Sequence, residues 1–270
     1  MCKIPLAFIK KDFLIESSYK LAFLANIFGV LISLLGYFFI DKLFGRMLVS
    51  HLEEFGVNYF SYVLLGMAFF SYVGIGLGSF SSRIQSEQAQ GTLEAILLTP
   101  AGIPAILLSM ALWNLIFATM DMAIYIALGI FLFKIDFTHI NILSAIVILF
   151  LTVASFSGLG IISAGFIMVF KRGNPLGWII NSVEGLIGGV YFPITVLPGW
   201  LQFLAKFFPI TYAIRAMELS VYKGYSLAQL AKEAGFLLLF SALLIPLSYI
   251  NRMSAVRLSE LTRCNTESLA

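Results

Sequence analysis

From Ile142 to Phe170 the chain carries no acidic, basic or histidine side chain. A spanning helix needs about 20 predominantly apolar residues, because its backbone must satisfy itself inside the hydrocarbon and a charge left there is costly. Similar runs extend from about Leu21 to Ile40, Asn58 to Ser82, Ile103 to Phe133, Leu176 to Phe192 and Ala234 to Ile250. The chain is therefore expected to be an all-α membrane protein with six transmembrane helices. Composition agrees: 60% of the 270 residues are hydrophobic and only 11% are charged, against about 25% charged in soluble domains. So few charges cannot cover a soluble surface, which excludes an ordinary cytosolic enzyme, a disordered chain and a nucleic-acid binder. Cys2 and Cys264 lie at opposite ends and suggest neither a disulfide framework nor a metal site. The two histidines, His51 and His139, are expected in separate short outer loops, which argues against a zinc site or an intramembrane catalytic histidine.

The basic residues set the orientation. The tightest groups (Lys10 with Lys11, Lys171 with Arg172, and Arg252, Arg257 and Arg263) flank spans on the side of both termini. Under the positive-inside rule that side is the cytoplasm. Residues 1–20 interleave Ile4, Leu6, Ile9 and Phe13 with Lys10, Lys11, Asp12 and Glu16, the pattern of an amphipathic helix lying in the membrane interface. The body is then 21–250, and 251–270 is a cytoplasmic tail. Within the body, the stretch cut by Pro193, Pro198 and Pro209 is too broken for one span. Its piece between Pro198 and Pro209 is about 16 Å long as helix, too short to cross a core of about 30 Å. Residues 193–213 are therefore expected to form re-entrant outer helices between spans 5 and 6, with Pro198 opening one of them. Ser226 and Gln229 form a capping-box pattern ahead of span 6.

The cytoplasmic stretch 83–100 has a different character. Thr92 can cap a helix that begins at Leu93 and Glu94, where the carboxylate suits the helix dipole. Leu93, Ile96 and Leu97 share one face, and Pro100 disfavours helical geometry at Thr99. A short amphipathic helix is thus offered to the cytoplasm between spans 2 and 3. Gly91-Thr92-Leu93-Glu94, followed by Leu97-Leu98-Thr99-Pro100, resembles the signature of ABC-2 type permeases, the membrane subunits of ABC exporters. Gly188-Gly189-Val190-Tyr191-Phe192-Pro193, Leu197-Pro198-Gly199-Trp200-Leu201 and Phe208-Pro209-Ile210-Thr211-Tyr212-Ala213 are similar to that family's fifth span and outer helices. One departure stands out: the charged run before the glycine keeps Glu87 but has Gln88, Ala89 and Gln90 after it.

The resemblance implies a mechanical role for 83–100 as the coupling segment. Leu93, Ile96 and Leu97 would fill a groove of a cytoplasmic ABC ATPase, Glu87 and Glu94 would pair with its basic residues, and Gly91 would permit the turn before the helix. It also implies two ATPase copies, a second permease copy forming a homodimer, and residence among the lipids of a bacterial or archaeal plasma membrane. The chain has no P-loop pattern and no Gly-Lys dipeptide. It is expected to be non-catalytic and to bind no cofactor, with ATP and Mg held by the partner. An amphipathic drug-like or lipid-like molecule is the expected cargo, with a polysaccharide or glycolipid as the alternative.

Two charges sit inside spans. Asp121 and Glu184 cost about 2.5–3.5 kcal/mol each if ionised near the bilayer centre, so each is expected to face the bundle interior or a cavity. Asn114 and Asn181 are candidate partners, and Asp121, Glu184 and Asn181 are the candidate pathway residues. Arg215 and Glu218 have the i, i+3 spacing of a helical ion pair. Gly185 and Gly189 form a small-xxx-small pair that would suit a dimer face. An ion-coupled transporter could use the two carboxyls as proton carriers, but no inverted repeat supports it. A membrane serine hydrolase built on Ser157 would lack its histidine.

Overall fold

The computed structural model describes residues 20–89, 91, 103–170, 182–244 and 246. Those residues are helical and contain no strand. Four long helices come first: α1 (Lys20–Leu52), α2 (Tyr59–Ala89), α3 (Ile103–Phe131) and α4 (Ile142–Phe170). A helical stub, α5 (182–187), leads into a turn, a 3₁₀ turn at Ile194–Val196, and the short helices α6 (Gly199–Ala205) and α7 (Pro209–Tyr222). A last helix, α8, covers 231–244. The first four helices are each long and apolar enough to cross a membrane. The interfacial helix expected at 1–20 lies outside the described residues except for Lys20, and the tail 251–270 lies wholly outside them.

Most boundaries follow the apolar runs, and the departures have local causes. α1 continues to Leu52, past Asp41, Lys42 and Arg46, because nothing in that stretch breaks a helix. At about 1.5 Å per residue its 33 residues span about 50 Å, well beyond a core of about 30 Å. His51 therefore belongs to α1 and not to a loop. α2 likewise runs on through Arg83 to Ala89, so the first half of 83–100 is a continuation of the second span. The fifth helix stops at residue 187, short of Phe192, because Gly189 takes φ +90° and cannot stay helical. α6 begins directly after Pro198, and α7 has Pro209 in its first turn. Gln229 closes the capping box by accepting the Ser226 backbone N–H at 2.9 Å.

α2 is the axis of the bundle. Two-thirds (67%) of its apolar window is buried, against 11% for the windows of α1 and of α3. It packs most extensively on α4, then on α3 and α1. Its buried Tyr62, Phe69, Tyr72 and Val73 form one core with Ile148 and Phe156 of α4, Ile210, Ala213, Ile214 and Met217 of α7 and Leu237 of α8. Leu64 and Phe60 make a smaller core with Val30 and Leu34 of α1. Lipid tails are as apolar as leucine, so such contacts are gained through close approach rather than through escape from water. A Cβ at Gly76 would overlap the Cβ of Phe156, and one at Gly66 would overlap the carbonyl oxygen of Val190.

Hydroxyls tie the same helix to its surroundings. Tyr62 donates to the Gly189 carbonyl (2.5 Å), Tyr72 to Thr119 of α3 (2.9 Å), and Tyr222 of α7 to the Ser61 carbonyl (2.7 Å). The Ser155 hydroxyl of α4 lies 2.8 Å from the Leu237 carbonyl of α8. At the same end as Tyr62, Arg215 of α7 bonds Glu54, which follows α1, at 2.6 Å and reaches Glu233 of α8 at 3.7 Å. The pair with Glu54 is half exposed, so it adds little more than register.

The Gly76 contact gives a direct test. Gly76→Ala must push α2 and α4 apart, a fault that costs about 1–3 kcal/mol in a packed core. The thermal unfolding midpoint of the purified permease should fall. Gly36→Ala, where an added Cβ meets nothing within 4 Å, should leave it unchanged or raise it.

Candidate functional site

Asp121 of α3 lines an open cleft of about 240 Å³ between α2 and α3. Ser71, Gly74, Ile75 and Gly78 supply the α2 wall, and Asn114, Phe117, Ala118 and Asp121 supply the α3 wall. Both sets recur at helical spacing, so each presents one face. Asp121 lies ten residues before the end of α3, about 15 Å along a helix at 1.5 Å per residue. That is close to the middle of a core of about 30 Å. The Tyr72–Thr119 bond pins the two walls together beside it.

The partner of Asp121 comes from a third helix. Asn26 of α1 donates its amide N–H to Asp121 Oδ1 at 2.8 Å. Asn114, the partner expected from spacing, is a neighbour lining the same cleft. Asn26 was missed although a signal existed: it is the lone amide in the apolar run that follows Leu21.

Glu184 lies elsewhere. It sits on α5, fully buried, and among the described residues neither carboxylate oxygen has a hydrogen-bond partner. The described residues lining the Asp121 cleft do not include it, so the two carboxyls do not form one site. Asn181 lies outside the described residues.

Glu218 is a second carboxyl of this kind, and the expected Arg215–Glu218 pair does not form. α7 is buried along almost its whole length, with Arg215 on its exposed edge, turned to Glu54 and Glu233. Three residues on, Glu218 falls inside, fully buried, with both oxygens unpartnered among the described residues. Tyr62 and Tyr222 are near enough to feel its charge. Burial alone raises its pKa well above the ordinary 4.5.

Gly185 and Gly189 are both buried beside α2 and the turn that follows α5. A dimer ridge needs both residues on one continuous helix, and the helix ends at 187. Both glycines are buried within the chain: a Cβ at Gly185 would meet the Phe70 ring at 3.3 Å, and one at Gly189 would meet Ile194 and the Tyr62 hydroxyl at 3.3 Å. Their small size is used to seat α5 and its turn on α2.

Of the coupling segment, Glu87 lies in the last described turns of α2. Gly91 is exposed with φ +68°, the left-handed geometry that commonly ends a helix. Thr92, Leu93, Glu94, Ile96, Leu97 and Pro100 lie outside the described residues.

The burial of Glu218 has a measurable consequence. Its folded-state pKa exceeds the unfolded value, so the unfolded state loses its proton first and stability falls as pH rises above about 4.5. Glu218→Gln removes that penalty. The variant should match the wild type in thermal midpoint at pH 4 and exceed it increasingly toward pH 8. A variant less stable than the wild type at every pH would mean that the carboxylate has a partner.

The arrangement is that of a bundle of long apolar helices with a cleft between α2 and α3. Residues 7–222 match the family model described as ABC-2 type transporter. No curated protein matches the chain. The matched region takes in α1 to α7 and runs through both segments whose residues resemble the family, so the chain belongs to the ABC-2 type transporter family, as a membrane permease subunit.

Proposed function

We propose that this permease moves an amphipathic drug-like or lipid-like molecule outward across a plasma membrane, using ATP hydrolysed by two cytoplasmic ABC ATPase subunits. Six spans would place both termini in the cytoplasm, and 193–213 would dip into the outer leaflet and return. Two permease copies would complete the path. ATP and Mg would be held by the partner, because this chain has no P-loop to cradle phosphate.

The observation that carries this reading is the continuity of α2. One helix runs from Tyr59 to Ala89, Gly91 follows in left-handed geometry, and 92–100 come next in the sequence. Its other end is the best-packed helix of the bundle. A push delivered to the coupling segment by a closing ATPase would therefore act on a rigid lever. The lever carries one wall of the Asp121 cleft and, through Tyr62 and Ser61, the outer turn at Gly189 and helix α7.

The tagged permease should co-purify with an ATPase in equal numbers. Transport in proteoliposomes should stop when that ATPase is catalytically dead and continue when the proton gradient is collapsed. The reverse pattern would identify an ion-coupled transporter. Gly91→Val forces a β-branched residue into left-handed geometry. It should weaken ATPase retention about ten-fold, and Gly91→Asn, which tolerates that geometry, should retain most of it.

A further inference from the structure

We propose that the cleft between α2 and α3 is a subsite for the ammonium head group of an amphiphilic amine, with Asp121 as its counter-ion and Asn26 as the residue that orients the carboxylate. The inference rests on the reading of the chain as a permease for amphiphiles, and it specifies the head group.

The charge comes first. A carboxylate near mid-depth needs a cation, a hydrogen-bonded shell or water. The ion pairs among the described residues both belong to Arg215, far along the chain at the loop end. Asn26 is neutral: it aims Oδ1 without compensating the charge. A carboxylate offers about four lone-pair positions, so the Asn26 bond leaves acceptor capacity, among the described residues, on a side chain that lines the cleft.

The space agrees with a head group. A Cβ added at Gly74 would meet nothing within 4 Å, so the α2 wall is hollow where it faces Asp121's helix. At about 30 Å³ per water-sized group, 240 Å³ holds about eight such groups. That suits an ammonium with its first carbons and falls below the roughly 300–1,000 Å³ of a pocket that swallows a whole drug. Phe117 adds an aromatic wall, a surface that attracts cations. Leu112, Ile116 and Met120 are exposed apolar residues on another face of α3 and do not line the cleft. The cleft is open, so an amphiphile with its head against Asp121 would leave its tail outside the cleft. An anionic head group would meet the carboxylate as a like charge.

The test uses the full permease with its ATPase in nanodiscs whose lipid, phosphatidylglycerol, carries no amine. Dodecylamine, an ammonium at pH 7, is titrated against dodecanol, with the thermal midpoint as readout. Dodecylamine should stabilise the wild type and dodecanol should not. Asp121→Asn can still accept the Asn26 hydrogen bond, and Gly74→Leu fills the cleft. Each should raise the half-saturating dodecylamine concentration about ten-fold or more, and Asp121→Glu should recover part of the loss. If phosphatidylethanolamine in the nanodisc competes in the wild type alone, the natural occupant is a lipid head group; if it does not compete, the occupant is a free amphiphile. Equal dodecylamine binding by the wild type, Asp121→Asn and Gly74→Leu, or equal effects of dodecanol and dodecylamine, would overturn the proposal. Ammonium binding at Asp121 without ATP-driven transport would instead overturn the exporter reading and leave the subsite standing.

Discussion

Close backbone approach along α2 is the constraint on which the rest of the bundle depends. In a bilayer, an apolar side chain gains little by leaving lipid for protein, so helices must be held by dense packing and by hydrogen bonds between them. Gly66 and Gly76 let α2 touch the Val190 carbonyl and the Phe156 backbone. Phe69, Tyr72 and Val73 then fill the space beside those contacts. The outer helices inherit their positions from this axis. Tyr62 holds the turn at Gly189, and Tyr222 anchors α7 to the start of α2.

Polar groups inside the bundle fall into two classes. Hydroxyls of Tyr62, Tyr72, Thr152, Ser155 and Tyr222 reach carbonyls or other hydroxyls, as buried donors must. The Ser144 hydroxyl and the carboxyls of Glu184 and Glu218 do not follow this rule among the described residues. Asp121 lies between the classes, tied among the described residues to the Asn26 amide and open to a cleft. A buried carboxyl without partners lowers stability. Glu184 precedes the Gly189 turn and Glu218 lies on α7, so both fall in the same part of the bundle.

Local chemistry was readable wherever neighbours in sequence decide the outcome. The apolar runs became α1 to α4, Pro198 opened α6, and Gln229 returned to the Ser226 N–H. The Gly91 turn also follows from one residue's freedom at positive φ. The side-chain partners were less readable. Spacing suggested Asn114 for Asp121 and Arg215 for Glu218, yet Asn26 lies 95 positions from Asp121 and Glu54 lies 161 from Arg215. Gly185 and Gly189 looked like an outward ridge and are closed inside the chain.

The sequence by itself determined the class of molecule: long apolar segments with few charges must form helices in a membrane, because only a helix satisfies its own backbone there. It also placed the turns and the helix starts, which depend on single prolines and glycines. The tertiary structure decided which face of each helix meets which neighbour. A helix that is apolar all round carries no stripe to fix its rotation. Only packing against α2 could turn Asn26 toward Asp121 and Glu218 into the interior, and leave Gly74 facing an open cleft.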